Sequence, residues 1–523
     1  MDGSGSGKSA SYSKPNAYQM LGSYVFTDPK GELYDDTAGY LKEHGYEIKV
    51  LNLVRPQYSD GYNPLKHISS EIDVDVIANT IIRGQKTDGG SSEPFWDDSA
   101  EMLLKALIYY LLATRPEEEQ NLTSCAELVR AANSNGGSNL LTELMSQLPY
   151  DHPARTNYKS IEIAPEKTYS SILSTLQSKL GKFDSKEIAE LTSTDTINFE
   201  DIGNKKTAVY VISSDTHTAY DFLLTIFFSQ MIQQLYDYAD RNGGALKIPT
   251  YFILDEFANI GKIPDFDKKI STSRSRKISF SVILQNVDQL EAVYEKSYET
   301  IMGNCDTHLF LGSNSYKTLE YFSKQLGEKT IERDSISINK DRQNYRTGKS
   351  VSDQVMARAL MTPDELRRLD NDLCIIFEKG IRPVKAKKYY YFKYPMAKEM
   401  KKYAISHNDI GEIDRGPWRK YNPYNPYVPE EEKQKKVDNL KVESLDDLFE
   451  DDIKSEVKEE KNEPQTVGAT TSKKDKSNNE GFEPLDLKNY EDDAPVLPQE
   501  DEYDLQKELE AKFDELFGPL DED

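Results

Sequence analysis

Seven short runs rich in β-branched and aromatic residues recur along the 523-residue chain, and most are apolar on both faces. They are SYVFTD (23–28), EIKVLNLV (47–54), TAVYVIS (207–213), TYFILDEF (250–257), ISFSVILQN (278–286), THLFLGS (307–313) and LCIIFEKG (373–380). A strand without a polar face cannot border water on either side, so these runs belong inside a parallel sheet covered by helices. Suitable covers lie between them. DFLLTIFFSQMIQQLYDYADR (221–241), for example, repeats apolar residues every three or four positions. Strand–helix alternation of this kind predicts an open α/β sheet.

The pattern changes twice. Residues 91–194, between the second and third runs, read as helix throughout, with DDSAEMLLKALIYYLLATR and YSSILSTLQSKLGKF as the best amphipathic pieces. This stretch is long enough for an all-helical domain inserted between an α/β part at 1–90 and its continuation at 195–400. A Pro/Tyr-rich segment, 401–430, follows, in which PWRKYNPYNPYVPEEE argues against regular helix or strand.

Charge separates the last part, 431–523, from the rest. That tail holds 31 Asp/Glu and 13 Lys/Arg, so it carries −18 of the total −25 and leaves the body at −7. The tail is expected to be largely disordered. Two amphipathic islands interrupt it, with related cores at Leu445–Phe449 and Phe513–Phe517. They read equally as transient helices or as docking motifs that fold on a partner. Because the acid is segregated, an acidic total does not exclude nucleic acid as a partner of the body. Three dispersed cysteines, Cys125, Cys305 and Cys374, suit a reducing compartment and argue against zinc. The longest apolar runs are too short to cross a bilayer, and no signal peptide is evident, so the chain reads as soluble and intracellular.

Two motifs carry chemistry. The opening MDGSGSGKSAS contains Gly5, Ser6, Gly7, Lys8 and Ser9 in the pattern of a phosphate-gripping loop. In such a loop successive backbone N–H groups surround the phosphates, the lysine reaches their outer oxygens and the serine hydroxyl binds Mg²⁺. Asp2 stands where the first glycine belongs, and a glycine–serine linker would look similar. The second motif is YFILDEFANIGKIPDF, with Asp255 and Glu256 at the end of a buried apolar strand. A charge pair there is costly without a task. In a nucleotide hydrolase the first carboxylate holds the metal shell and the second orients the attacking water; capping of a helix is the plainer alternative. Gln285 ends the next strand, where its amide could contact a γ-phosphate. Arg274 or Arg276 could reach a neighbouring subunit's nucleotide as an arginine finger, or join Lys268, Lys269 and Lys277 in contacting nucleic-acid phosphates.

In order and spacing these stretches resemble the type IV secretion coupling proteins, the TraG/TraD family of conjugative DNA-transfer ATPases. The resemblance rests on GSGKS, KPN, TDPKGELY (27–34), LDEFANIGKIPDF, RSRKISFSVILQNVDQLEAVY, TIMGNCDTHLFLGSN (300–314) and LMTPDELRRLDNDLCIIFEKG (360–380). It implies an α/β fold, a RecA-like P-loop motor with an inserted all-helical domain, and ATP with Mg²⁺ as cofactors. It also implies a homo-hexamer on the cytoplasmic side of the cell membrane. Such a ring links relaxase-bound single-stranded DNA to the secretion channel, and the acidic tail is a further possible partner site. Under this resemblance Lys8 and Ser9 are the loop pair, Asp255 and Glu256 the strand-end pair, Arg274 the finger and Gln285 the sensor. Asp28 and Lys30 could line the site, although a tight turn closed by Gly31 explains them better.

The family also carries membrane helices and a strand feeding the loop, which are missing before Met1. The expectation is therefore a shortened form of a membrane-anchored parent; if the chain is natural as written, its ATP affinity is expected to be poor, because an unanchored loop loses entropy on binding. A non-catalytic assembly or docking subunit, or a related DNA translocase, are the competing readings.

Overall fold

The computed structural model describes residues 7–84, 94–134, 139–214, 220–340 and 347–427. All of them fall in the first of two units, Met1–Lys436. The second unit, Val437–Asp523, contains both amphipathic islands and lies outside the described residues.

Five of the apolar runs form one parallel sheet. The strands are β1 (Ser23–Thr27), β2 (Glu47–Asn52), β3 (Thr207–Ile212), β4 (Thr250–Leu254) and β5 (Ile278–Val282), in the order β2-β3-β1-β4-β5. The central β1 is buried along its whole length. It pairs with β3 through Val25↔Val209 and with β4 through Val25↔Phe252. Side chains alternate across the sheet with period two. Val25, Val209, Val211, Phe252 and Leu254 enter one apolar cluster, while Tyr24, Phe26, Ala208, Tyr210 and Ile253 enter the other.

The first cluster continues without a break into the helices. Helix α3 (Glu71–Arg83) follows β2 and precedes the stretch 91–194. Among the described residues, that stretch then forms α4 (Pro94–Thr114), α5 (Leu122–Ser134), α6 (Asn139–Ser146), α7 (Pro153–Glu162), α8 (Glu166–Leu180) and α9 (Lys186–Ser193). Leu103, Leu107, Leu128 and Leu176 from these helices share one cluster with Phe227, which comes from the long helix Asp221–Arg241. Burial of one such side chain contributes about 1.5–3 kcal/mol, so the helical layer and the sheet reinforce each other. The other face of the sheet is covered by α1 (Lys14–Tyr18) and α2 (Glu32–Glu43), through Ala17, Tyr18, Leu33 and Leu41.

The remaining two apolar runs do not join the parallel sheet. They become β6 (Thr307–Phe310) and β9 (Leu373–Glu378), which pair antiparallel and are joined by β10 (Val384–Lys387) in a separate three-stranded sheet. Apolar composition marks a run as buried strand but carries no information about its pairing direction. A two-stranded hairpin, β7 (Glu328–Lys340) with β8 (Thr347–Ala359), also escapes the sequence reading, because its segments are too polar to stand out as strands.

The Pro/Tyr segment contains no regular helix or strand between 401 and 427 beyond one short 3₁₀ turn, His407–Asp409, yet it is firmly held. Asp35 on α2 accepts hydrogen bonds from the backbone N–H and the ring of His407. Tyr421 is buried, with the Arg115 guanidinium 4.1 Å from its ring centroid. Among the described residues no helix is long and apolar enough to cross a membrane.

Candidate functional site

The loop enters its helix through Gly7, whose φ of +80° is left-handed. A β-carbon there would also sit 2.9 Å from the ring of Tyr390, so glycine is required on both counts. The chain then coils through a wide π-helical turn, Ser9–Ser13, before α1 begins at Lys14. Tyr12 ties this turn to β5, with its hydroxyl 2.8 Å from Ser281 Oγ. Gly5 and Ser6 lie outside the described residues.

The carboxylate pair follows the last residue of β4, at the carboxyl end of the parallel sheet. Thr27 at the end of β1 donates its hydroxyl proton to the Asp255 carbonyl oxygen at 2.7 Å, which locks the two strand ends together. Glu256 adopts φ 53°, ψ 47°. A non-glycine residue in this conformation costs about 1–3 kcal/mol, a strain that clusters at sites where a side chain must be aimed. Here it turns Glu256 back towards the loop. Lys8 Nζ lies 2.9 Å from Asp255 Oδ1 and 3.4 Å from Glu256 Oε1. Gln285 Nε2 donates to Glu256 Oε1 at 3.2 Å, and Asn259 Nδ2 donates to Glu256 Oε2 at 3.1 Å.

Residues separated by about 250 positions therefore converge on one point. Burial works against the charge on Lys8, but Asp255 and Glu256 more than restore it and hold its pKa above the usual lysine value. Burial lifts the Asp255 carboxyl above its ordinary range even with the ammonium beside it. Asp255 Oδ1 is buried against the Lys8 ammonium and meets no other donor among the described residues. A carboxylate oxygen so placed keeps a lone pair for a further ligand. Mg²⁺ fits, because it takes one or two carboxylates and fills its shell with water and phosphate oxygens. Among the described residues there is no cluster of three metal-ligating side chains, so phosphate would have to complete the shell.

The other residues singled out in the sequence fall into separate places. Arg274 is not brought to the loop. It precedes β5 whereas Gln285 follows it, and five strand residues span about 17 Å. Arg274 lines, with Lys8 and Tyr12, a cavity of about 830 Å³ between β5 and β6. Arg276 is spent on structure: its Nε and Nη2 donate to Asp240 at 3.0 Å each, and its guanidinium lies 4.7 Å from the Tyr236 ring centroid. Lys268 pairs with Asp265.

Asp28 belongs to the turn. Gly31, with φ +73°, donates to the Asp28 carbonyl at 3.1 Å, and the Asp28 carboxylate accepts from the Tyr34 N–H at 2.8 Å. Tyr390, Thr27, Tyr12 and Asn259 were not anticipated as site residues. Asn259 could have been found, three positions after Glu256 in the same motif; Tyr390 offers no local signal.

Burial raises the Asp28 pKa to about 6. The folded chain therefore holds that proton more tightly than the unfolded chain. The associated stability is complete below about pH 4 and is lost as pH rises through about 6. Asp28→Asn keeps an acceptor for Tyr34 and removes the titration. The variant is expected to gain on the order of 3 kcal/mol relative to the parent between pH 4 and pH 7. Denaturant melts of both chains at the two pH values check this.

A glycine-led helix start whose lysine meets a strand-end carboxylate pair, beside a five-stranded parallel sheet, is the arrangement of a RecA-like P-loop fold. A family model described as Type IV secretory system Conjugative DNA transfer matches residues 1–412. The chain belongs to that family.

Conjugal transfer protein TraG of Escherichia coli is 25% identical over 425 residues, covering 75% of this chain and 66% of TraG. Protein VirD4 of Agrobacterium fabrum (strain C58 / ATCC 33970) is 22% identical over 415 residues, covering 75% of this chain and 58% of VirD4. The chain thus spans just under two thirds of the length of TraG. Among solved structures, the bacterial conjugative coupling protein TrwBdeltaN70 superposes with a TM-score of 0.54 at 17% identity, covering 74% of this chain and 82% of that one. The plasmid coupling protein TrwB in complex with the non-hydrolysable ATP analogue ADPNP gives 0.53 at 17% identity, covering 74% and 84%. At this identity the likeness establishes the fold.

Proposed function

We propose that the chain is the ATP-hydrolysing motor part of a conjugative coupling protein, which drives relaxase-bound single-stranded DNA towards a type IV secretion channel. The observation that carries this reading is the meeting of Lys8, Asp255, Glu256 and Gln285 at the carboxyl end of the sheet. In this reading Gly5 to Ser9 grip the phosphates of ATP, Ser9 and Asp255 hold Mg²⁺, Glu256 orients the attacking water and Gln285 registers the γ-phosphate through its bond to Glu256. The bound nucleotide supplies the phosphoryl group to be transferred; the protein supplies position and charge.

Arg274 sits too far along β5 to serve its own loop, which suits a finger offered to the next subunit of a homo-hexamer. The helical stretch 91–194 acts as an inserted domain on the motor formed by 1–90 and 195–400. The acidic tail, 431–523, serves partner binding, and the parent protein sits at the cytoplasmic side of the membrane. A complex of a TrwB protein with an ATP analogue supports the choice of nucleotide.

The test is ATP turnover with and without DNA. Single-stranded DNA is expected to stimulate turnover more than duplex, and DNA affinity is expected to fall at least about tenfold between 50 and 200 mM salt, as phosphate contacts require. Stimulation by duplex alone would favour a translocase of another kind. Absence of turnover under all conditions would leave only an assembly role.

A further inference from the structure

We propose that the segment 379–403, which runs from the end of β9 through β10 and past the loop, is a surface that holds single-stranded DNA. This rests on the motor reading and goes further by giving the DNA a place on the chain, apart from the residues that meet the nucleotide. The segment, KGIRPVKAKKYYYFKYPMAKEMKKY, holds nine lysines and arginines against Glu399 alone, in a chain whose net charge is −25. A local excess of positive charge attracts a polyanion to that spot whatever the sign of the whole chain.

The fold leaves most of this charge in water. Of the nine, only Lys388 is buried; its ammonium donates to the Leu311 carbonyl at 2.9 Å and pins the segment beside β6. Lys393 lies 3.9 Å from Asp372. The other seven are exposed and make no ion pair among the described residues. Lysine on an open sheet edge keeps stray strands away, which accounts for Lys385 and Lys387 on β10. It does not account for Lys398, Lys401 and Lys402, on and after the short helix Met396–Met400.

Aromatic rings sit amid the charge. Tyr389 and Tyr394 stack with centroids 3.8 Å apart, yet remain 46% and 40% exposed, and Phe392, which stacks on Tyr390 at 5.2 Å, is 56% exposed. Bases splayed from a single strand stack on such rings while cations on either side meet the phosphates, and no base sequence is needed. A duplex keeps its bases turned inward and can use only the cations. The segment also bears on the loop, because the Tyr390 ring lies where a β-carbon of Gly7 would be. DNA seated on 389–394 and nucleotide seated on the loop therefore share one stretch of chain, through which each biases the other.

The experiment uses the full chain, Tyr394→Ala, and the double variant Lys401→Gln with Lys402→Gln. All three replaced side chains are exposed, so folding is not at stake. The probes are a labelled oligo(dT), an abasic deoxyribose-phosphate strand of equal length, and vesicles of phosphatidylserine and phosphatidylcholine. The parent is expected to bind oligo(dT) more tightly than the abasic strand. Tyr394→Ala should lose about 5- to 150-fold of oligo(dT) affinity, the range for one base–aromatic stack, with abasic affinity unchanged. The double variant should weaken both strands and flatten the log–log salt dependence by about 1.4, the share of two phosphate contacts.

Parent-like oligo(dT) affinity in both variants overturns the surface and leaves the motor reading intact. So does a loss confined to vesicle binding, or to the oligomeric state in sedimentation, which would make the segment a membrane or subunit contact. A parent chain that hydrolyses ATP but binds no single-stranded DNA overturns the surface together with the DNA half of the motor reading.

Discussion

A Glu256→Gln chain is expected to bind ATP at least as tightly as the parent and to hydrolyse it about 10²–10⁴-fold more slowly, the usual worth of a positioned acid–base group. The replacement keeps the shape of the side chain and the left-handed backbone that aims it. An amide cannot accept at both termini, so it keeps only one of the bonds from Gln285 and Asn259. The lost bond costs about 1 kcal/mol, too little to unfold a chain with this core. Lys8 also loses one of its two carboxylate partners, which frees it to meet a phosphate. Equilibrium binding and single-turnover hydrolysis separate the two effects. Turnover within a few-fold of the parent would remove Glu256 from the chemistry and leave it a loop anchor.

Lys8→Ala is expected to do the reverse, abolishing measurable triphosphate binding at concentrations that saturate the parent. Loss of one preorganised charge at a reacting phosphate costs about 10²–10³ in turnover. Here the loss is compounded, because Asp255 and Glu256 then face the incoming polyanion without compensation. Stability is expected to change little. Burial already lifts the Asp255 carboxyl, and without Lys8 it can take up a proton instead of remaining a buried, unpaired charge. Nucleotide titration and a denaturant melt of the same sample check both halves. Wild-type affinity in Lys8→Ala would dissolve the link between loop and carboxylates on which the motor reading depends.

The two ends of the site differ in how far they could be read beforehand. The loop and the Asp255–Glu256 pair are legible because each is a local pattern: backbone donors gathered by glycines in one case, charge at the end of an apolar strand in the other. Seven strands were legible for a similar reason, since burial on both faces writes itself into consecutive residues. Pairing was not. Run 307–313 has the same apolar character as 250–257, yet β6 pairs antiparallel with β9 while β4 lies in the parallel sheet. Arg274 and Arg276 are adjacent equivalents in sequence, but only Arg276 meets Asp240 and Tyr236.

The amino-acid order alone thus determined which segments are buried strands, which stretch is helical, where a glycine-rich loop ends in a lysine and where the acid is stored. Only the folded chain decided that Lys8 rests on Asp255 and Glu256, that Tyr390 closes over Gly7, and that a polar Pro/Tyr stretch packs down instead of trailing free. The physical reason is range. Periodicity, propensity and turn chemistry act over a few residues and leave a trace there. The partner of a charge or an aromatic ring is chosen by contacts hundreds of positions away, where many equivalent candidates compete and packing selects one.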